Sequence, residues 1–347
     1  MTRIRFFDST LRDGSHAIRH QLSHETIANY CASMDNSGMY VIIVGHGNGL
    51  GASSLQVGLS KISDSEMLST ARKNLKRTKL GAYMMPGFGT IKDDLIPAIN
   101  NGVDLFKIGC HCTEANITRQ HIEFIRAQDK EIYGVLMNYH MTSTERLIEE
   151  ARKMQSYGAH GIIIMDSAGA STPELVKRTI SELTANLYIL VGFHPHNNLG
   201  LAVANAYTAI KEGAAIIDGT LRGFGAGAGN VQLEALTALL IKEGYELNQD
   251  LYSMMDTSDN IIAKIMNEDR AIPEICIISG WAGVFSSFKT QVINAAKIFN
   301  VDPRDIFIEL GKRKAVGGQE DLILTVAEEL AKPAVIDSES YLLASLT

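Results

Sequence analysis

Up to about residue 245, short and almost wholly apolar runs alternate with stretches of helical periodicity. The runs are Ile4–Ser9, Tyr40–Gly45, Lys79–Met85, Leu105–Gly109, Ile132–Asn138, Gly161–Asp166, Tyr188–His194 and Ala215–Thr220. Amphipathic segments such as Leu147–Ser156 and Pro173–Thr184 lie between them, and Asn230–Glu243 reads as a helix that stops near Gly244. Strands that are apolar along their whole length belong in a parallel sheet covered on both faces. Eight such strand–helix units predict an α/β protein of the (β/α)8 TIM-barrel class. A doubly wound open sheet is the alternative.

From Leu247 the alternation ends. Leu251–Asn267, Val284–Phe299, Pro303–Lys312 and Leu322–Ala331 read as helices, with Pro303 suited to a first turn behind Asp302. The pattern predicts a barrel domain over residues 1–245 and a C-terminal helical domain over 246–347. Tyr252 and the Trp281–Phe288 segment offer exposed aromatics for packing across an oligomer interface. Ser338–Leu342 reads as a frayed end.

Composition narrows the classes. The 347 residues are 46% hydrophobic, enough for a sizeable core, with a net charge of −7. No basic stripe is present, so nucleic acid is not an expected partner. The longest apolar runs are far shorter than the roughly 20 residues of a membrane helix. Met1–Arg5 lacks the apolar segment of a secretory signal, and 4 cysteines do not make a disulfide scaffold, so a reduced cytoplasm is the expected location. Cys110-His111-Cys112 is too tightly spaced for a zinc finger.

A barrel of this class carries its chemistry at the C-terminal ends of its strands. The residues that follow the predicted strands include Arg12, Asp13 and His16; His46 and Asn48; Pro86 and Gly87; His111 and Glu114; Tyr139 and His140; Ser167; His196; and Arg222. His20, His24, His121 and His160 fall elsewhere and read as surface or helix residues.

Two stretches stand out. Arg12, Asp13 and His16 combine a guanidinium for a developing oxyanion, a carboxylate for a cation and an imidazole for a proton. His194 and His196, at i and i+2 on an extended segment, face the same side. With Asp13 they make a two-histidine, one-carboxylate set that leaves positions open for water and substrate. The competing readings are a surface Arg12–Asp13 ion pair and two hydrogen-bonded histidines at a barrel mouth. Mixed N/O ligation suits Mn²⁺, Mg²⁺, Co²⁺ or Zn²⁺. Gly223–Asn230 is either a phosphate cradle or a glycine-rich turn into the last helix; it lacks the Lys-Ser/Thr of a P-loop. Asn230 is placed to face the water shell of a metal. Ser167 has no evident general base beside it, so it reads as a hydrogen-bond donor to a substrate carboxylate.

These motifs carry a family resemblance. Thr10–His16, His46-Gly47-Asn48-Gly49-Leu50, His111–Ala115, His194-x-His196 and Gly225–Asn230 resemble the 4-hydroxy-2-oxoacid (4-hydroxy-2-oxovalerate) aldolases. These sit in the wider group of metal-dependent lyases and synthases that includes 3-hydroxy-3-methylglutaryl-CoA lyase. The resemblance runs over nearly the whole chain and includes Gly317–Asp321, which the wider group does not share. It implies a (β/α)8 barrel, a divalent metal (Mn²⁺, with Mg²⁺ or Co²⁺ as alternatives) and cleavage of a 4-hydroxy-2-oxo acid to pyruvate and an aldehyde. It also implies a C-terminal helical domain docked on an acylating aldehyde dehydrogenase that receives the aldehyde through a channel. Carried over by motif, Asp13, His194 and His196 hold the metal, Arg12 stabilises the enolate, His16 is the base and Ser167 contacts the substrate carboxylate.

The chain departs from the family's pattern at three positions. Phe285 stands where a substrate-positioning tyrosine is usual, Ile43 where the second strand usually has a glutamate, and Tyr83 where leucine is usual. Tyr83 is therefore expected either to replace the hydroxyl missing at Phe285 or to narrow the pocket for a different aldehyde. Two other functions remain open at this level: an acyl-CoA-using carbon–carbon lyase or synthase, and a catalytically altered subunit that binds and regulates a dehydrogenase.

Overall fold

The structure is a computed structural model, and it describes residues 4–266 and 274–331. All eight predicted strands form, with ends shifted by a few residues: β1 Arg5–Asp8, β2 Val41–Ile43, β3 Lys79–Met84, β4 Leu105–His111, β5 Glu131–Met137, β6 Gly161–Asp166, β7 Leu190–Pro195 and β8 Ile216–Gly219. They pair in parallel and in chain order, and β8 closes on β1 with Arg5 opposite Ile216. The doubly wound alternative is thereby excluded. The helices α1 His24–Met34, α2 Asp64–Asn74, α3 Ile96–Asn100, α4 Arg119–Ala127, α5 Thr144–Ser156, α6 Pro173–Asn186, α7 Ala202–Lys211 and α8 Leu233–Lys242 surround them.

Several of these helices start at caps that the sequence carries. Ser63 and Glu66 form a reciprocal capping box on α2. Ser143 caps α5, and Thr172 followed by Pro173 starts α6. Strand side chains alternate between two cores. Phe6, Ile42, Phe106 and Ile164 point outward against the helices, while Phe7, Val41, Tyr133, Ile163 and Ile216 fill the barrel. The N-terminal mouth is closed by aromatic and charged groups: Arg5 donates to Tyr133 at 2.8 Å, and Tyr40 donates to Glu131, which also pairs with Lys79.

Three predicted helices change. Asn230–Gln232 is extended, with Asn230 bridged to His196 and Gln232 to Thr220, so α8 begins only at Leu233. Leu251–Asn267 breaks into Leu251–Thr257, a π turn Ser258–Ile262 and a last turn Ala263–Ile265; Asn267 lies outside the described residues. Met254 and Ile262 from this stretch pack into the barrel's outer core. The third change is in Val284–Phe299, where regular helix runs only from Lys289 to Phe299. Gly283 takes a positive φ of 71° and Phe285 is non-helical, which swings the segment toward the barrel. A helix the periodicity did not announce, Glu274–Ala282, joins Lys289–Phe299, Pro303–Lys312 and Asp321–Ala331. These share a separate core of Val284, Phe288, Val292, Ile306, Phe307 and Val326. Tyr252 and Trp281 are exposed as expected, but Phe288 is buried. Ser338–Leu342 lies outside the described residues. No helix among those described is long and apolar enough to cross a membrane.

Candidate active site

The turn after β1 builds the centre of the site. Arg12 and Asp13 both donate their backbone N–H to Ser9 O, at 3.0 and 2.8 Å, which starts a 3₁₀ turn over Asp13–Ile18. The Arg12 guanidinium donates to Asp13 Oδ2 at 2.8 Å and to Gly47 O at 3.1 Å. Both side chains are buried, so the surface ion-pair reading does not hold. Arg12 Nε and Nη2 are buried without a partner, which leaves donors for an anionic oxygen.

β7 carries His194 and the following residue pair brings in His196. Their Nε2 atoms each lie 4.0 Å from Asp13 Oδ2. Ligand bonds of about 2.1 Å at the angles of a tetrahedral site bring ligand atoms to roughly 3.4 Å of one another, so these three side chains would hold one divalent ion after closing in by about half an ångström. His194 Nε2 is buried and unpartnered, as a ligand nitrogen facing a cation would be. Asp13, His194 and His196 are the metal-competent set found among the described residues.

The glycine-rich stretch serves this carboxylate. Ala226 N and Asn230 Nδ2 donate to Asp13 Oδ1 at 3.1 and 2.9 Å. A Cβ on Gly225 would lie 2.1 Å from Asn230 Nδ2 and 2.7 Å from Asp13 Oδ1, so only glycine lets the loop approach. Of the two readings of this stretch, the turn is the observed one, and it cradles a side-chain anion. Burial opposes ionisation of Asp13, but Arg12 and then the neighbouring imidazoles hold its carboxyl well below the usual range. Burial lowers His196 to about 4.

His16 faces the same pocket. Burial is the main cause that brings its pKa to about 4, so its imidazole is neutral at physiological pH and able to accept a proton. Gly47 sits against this ring: a Cβ there would lie 2.4 Å from His16 Nε2. His20 corrects the sequence reading, because it is neither a surface nor a helix residue. Arg19 and His20 take left-handed φ values of 53° and 61°, which turn the His20 ring back under His16. Its ring stacks on His46 at 3.6 Å between centroids and meets His16 edge-on at 5.0 Å. His46 is locked, with Nδ1 accepting from Asn48 N at 3.0 Å and Nε2 3.1 Å from Gly58 O. His46 was marked by its place after a predicted strand and in a family motif, but no sequence signal marked His20 or the stack, which joins loops from two different βα units.

Tyr83, Met85, Met137, Met165, Ser167 and Phe285 complete the pocket wall. Tyr83 presents its ring to Arg12 and turns its hydroxyl to Met137 Sδ at 3.3 Å. Of its two expected roles, this position favours narrowing the pocket. Ile43 packs in the barrel interior beside Tyr83 and over Gly81, where a Cβ would lie 2.3 Å from its Cδ1. Ser167 O accepts from Ser286 N at 3.1 Å, and Ser286 Oγ donates to Asn198 Oδ1 at 3.2 Å. The C-terminal helices thus close one side of the pocket.

Other strand-end residues serve structure. His111 bonds Thr113, Tyr139 donates to Ser171, His140 contacts Gly283 O, and Arg222 pairs with Asp259.

Comparison with known proteins agrees with this architecture. Residues 3–261 match the HMGL-like family and residues 271–332 the DmpG-like communication domain. The chain is 54% identical over 331 residues to the 4-hydroxy-2-oxovalerate aldolase of Pectobacterium atrosepticum, covering 95% of this chain and 96% of that one. It is 50% identical to the enzyme of that name from Spirochaeta aurantia, covering 93% and 95%. In fold it is similar to the carboxyl transferase domain of Rhizobium etli pyruvate carboxylase, with a TM-score of 0.77 at 14% identity over 95% of this chain and 60% of that one. The chain belongs to the HMGL-like family of metal-dependent barrels and, within it, to the 4-hydroxy-2-oxovalerate aldolases.

Proposed function

We propose that this aldolase cleaves a 4-hydroxy-2-oxo acid, such as 4-hydroxy-2-oxopentanoate, with Asp13, His194 and His196 holding one divalent cation, Mn²⁺ by preference. The observation that carries the reading is the placement of both imidazole Nε2 atoms 4.0 Å from one oxygen of Asp13, beside the unpaired donors of Arg12. When bound, the cation supplies Lewis-acid polarisation of the 2-oxo group. The residues do the rest. Ser167 donates to the substrate carboxylate. His16 takes the proton of the 4-hydroxyl, the C3–C4 bond breaks, and an aldehyde leaves. Arg12 faces the enolate oxygen, where preorganised charge in a dry pocket lowers the barrier by several kcal/mol. The proton held on His16 returns to C3 and yields pyruvate. Tyr83 and Phe285 bound the space for the aldehyde carbons.

The catalytic unit on this reading spans residues 1–245, and the segment 246–347 makes oligomer and partner contacts. An acylating aldehyde dehydrogenase is the partner we assign to the C-terminal helices. Trp281 and Ile298 are exposed there, at 68% and 71%, large apolar side chains that a partner would cover. The cytoplasm is the compartment we assign.

The test is pyruvate release from 4-hydroxy-2-oxopentanoate with Mn²⁺, with and without chelator. Chelation is expected to abolish turnover and Mn²⁺ to restore it. Turnover indifferent to chelator refutes the metal assignment. Cleavage confined to an acyl-CoA substrate refutes the substrate class, and co-purification with a dehydrogenase without turnover of any 2-oxo acid would mark a silent subunit.

A further inference from the structure

Beneath the metal-competent set lies a second group of charges that the mechanism above does not use. Lys107 on β4 and Asp218 on β8 meet inside the barrel as a salt bridge, both wholly buried. Ser9 Oγ donates to Asp218 Oδ1 at 2.7 Å, and Lys107 Nζ donates to Ser9 Oγ at 3.2 Å as well as to Asp218. His194 Nδ1 stands 3.2 Å from Asp218 Oδ2.

This geometry favours one tautomer of His194. Lys107 offers donors only, and Ser9 spends its single hydroxyl proton on Asp218. The Asp218 carboxylate is therefore an acceptor on both oxygens. Neither ring nitrogen of His194 has a well-aligned hydrogen-bond partner, but Nδ1 lies 3.2 Å from an acceptor-only oxygen, so the proton is better placed on Nδ1 and the lone pair on Nε2, the atom that lies 4.0 Å from Asp13 Oδ2. Around them the barrel interior is mainly apolar, with Phe7, Val41, Leu105, Val135, Ile163 and Ile216 among its residues. Apolar residues at 107 and 218 would fold at least as stably, because a buried ion pair seldom repays its desolvation. Stability alone does not account for a lysine and an aspartate here.

We propose that Asp218, anchored across the barrel by Lys107 and Ser9, is a positioning residue that sets the orientation and tautomer of His194 for metal binding. The inference rests on the reading that Asp13, His194 and His196 hold a divalent ion. Orienting partners of this kind raise metal affinity about 10–100-fold.

The test uses the full-length, metal-free protein titrated with MnCl₂ by calorimetry, with Mn²⁺ EPR as a second readout. Asp218→Leu strands the Lys107 charge and is expected to unfold or destabilise the protein. The informative variant is the double Lys107→Met/Asp218→Leu, which removes both charges. It is expected to keep a Tm near that of the parent while binding Mn²⁺ about 10–100-fold more weakly. A double variant with the parent's Tm and the parent's Mn²⁺ affinity overturns the proposal and leaves the metal assignment standing. If the unaltered protein takes up no Mn²⁺, Co²⁺ or Mg²⁺, the metal assignment falls and this inference with it. A measurement free of any variant is the long-range ¹H–¹⁵N NMR spectrum of the metal-free protein. It is expected to show His194 protonated on Nδ1, and the opposite tautomer overturns the proposal even if the double variant does not fold.

Discussion

The guanidinium carbon of Arg12 lies 4.8 Å from the ring centroid of Tyr83. The aromatic face thus packs on the one cation that the proposed chemistry aims at an enolate. Burial holds the Tyr83 hydroxyl protonated, and its partner is Met137 rather than the pocket centre. The ring, not the hydroxyl, is what Arg12 meets. Tyr83→Phe is therefore expected to keep kcat/KM within about threefold, whereas Tyr83→Leu loses a cation–π contact of about 1 kcal/mol and lowers it about fivefold. Steady-state kinetics and the stereochemistry of the aldol product check this. A large loss in Tyr83→Phe would restore the idea that its hydroxyl substitutes for one absent at Phe285.

Asp13→Ala is expected to do two separable things. It removes a ligand, so Mn²⁺ affinity should fall by more than the roughly 100-fold that loss of an orienting partner gives. It also leaves the buried Arg12 without its counter-charge, which destabilises the fold by about 3–5 kcal/mol. Adding Arg12→Met should recover much of the stability and none of the metal binding. Calorimetric titration and urea unfolding, measured on both variants, separate the two effects.

His20→Ala removes the ring that supports His16 while leaving every proposed metal ligand in place. Freed from that edge contact, the base is less well aligned. The expected result is a kcat lower by about 10–100-fold with Mn²⁺ affinity unchanged. Equal losses in metal affinity and kcat would show that the His20–His46 stack supports the whole site and not the base.

Acid should destabilise the metal-free protein well above the range of ordinary carboxylates. Burial lowers His16, His46 and His196 to about 4, against about 6.5 in an unfolded chain. Between these values the unfolded chain binds more protons than the folded one, so stability rises with pH there and is lost as pH falls from about 6.5 to 4. Asp8, raised by burial to about 6, and Asp64, raised by burial as well, work in the opposite direction, but the histidines lowered by burial, His20 among them, outnumber them. Thermal unfolding followed from pH 7 to pH 4 is expected to show a Tm that declines across the whole window. A Tm flat down to pH 5 would contradict the burial of these imidazoles.

The barrel was legible in the chain because its signal is local. Each strand is an apolar run and each helix an amphipathic one, with Ser63, Ser143 and Thr172-Pro173 marking helix starts. Such patterns follow from side-chain periodicity and capping chemistry over a few residues. The metal-competent set was legible for a second reason: strand order converts position along the chain into position around the mouth, so the ends of β1 and β7 had to share one face.

What only the tertiary structure decided lies between loops and across the barrel. The His20–His46 stack needs two left-handed residues and a loop from the next βα unit. Lys107 and Asp218 are separated by 111 positions and meet only because the barrel closes. Asn230 was read as helical, yet its bridge to His196 holds it extended and aims its amide at Asp13. In each case the deciding contact is a hydrogen bond, ion pair or ring stack between distant segments, and its energy outweighs the local preferences that sequence patterns report.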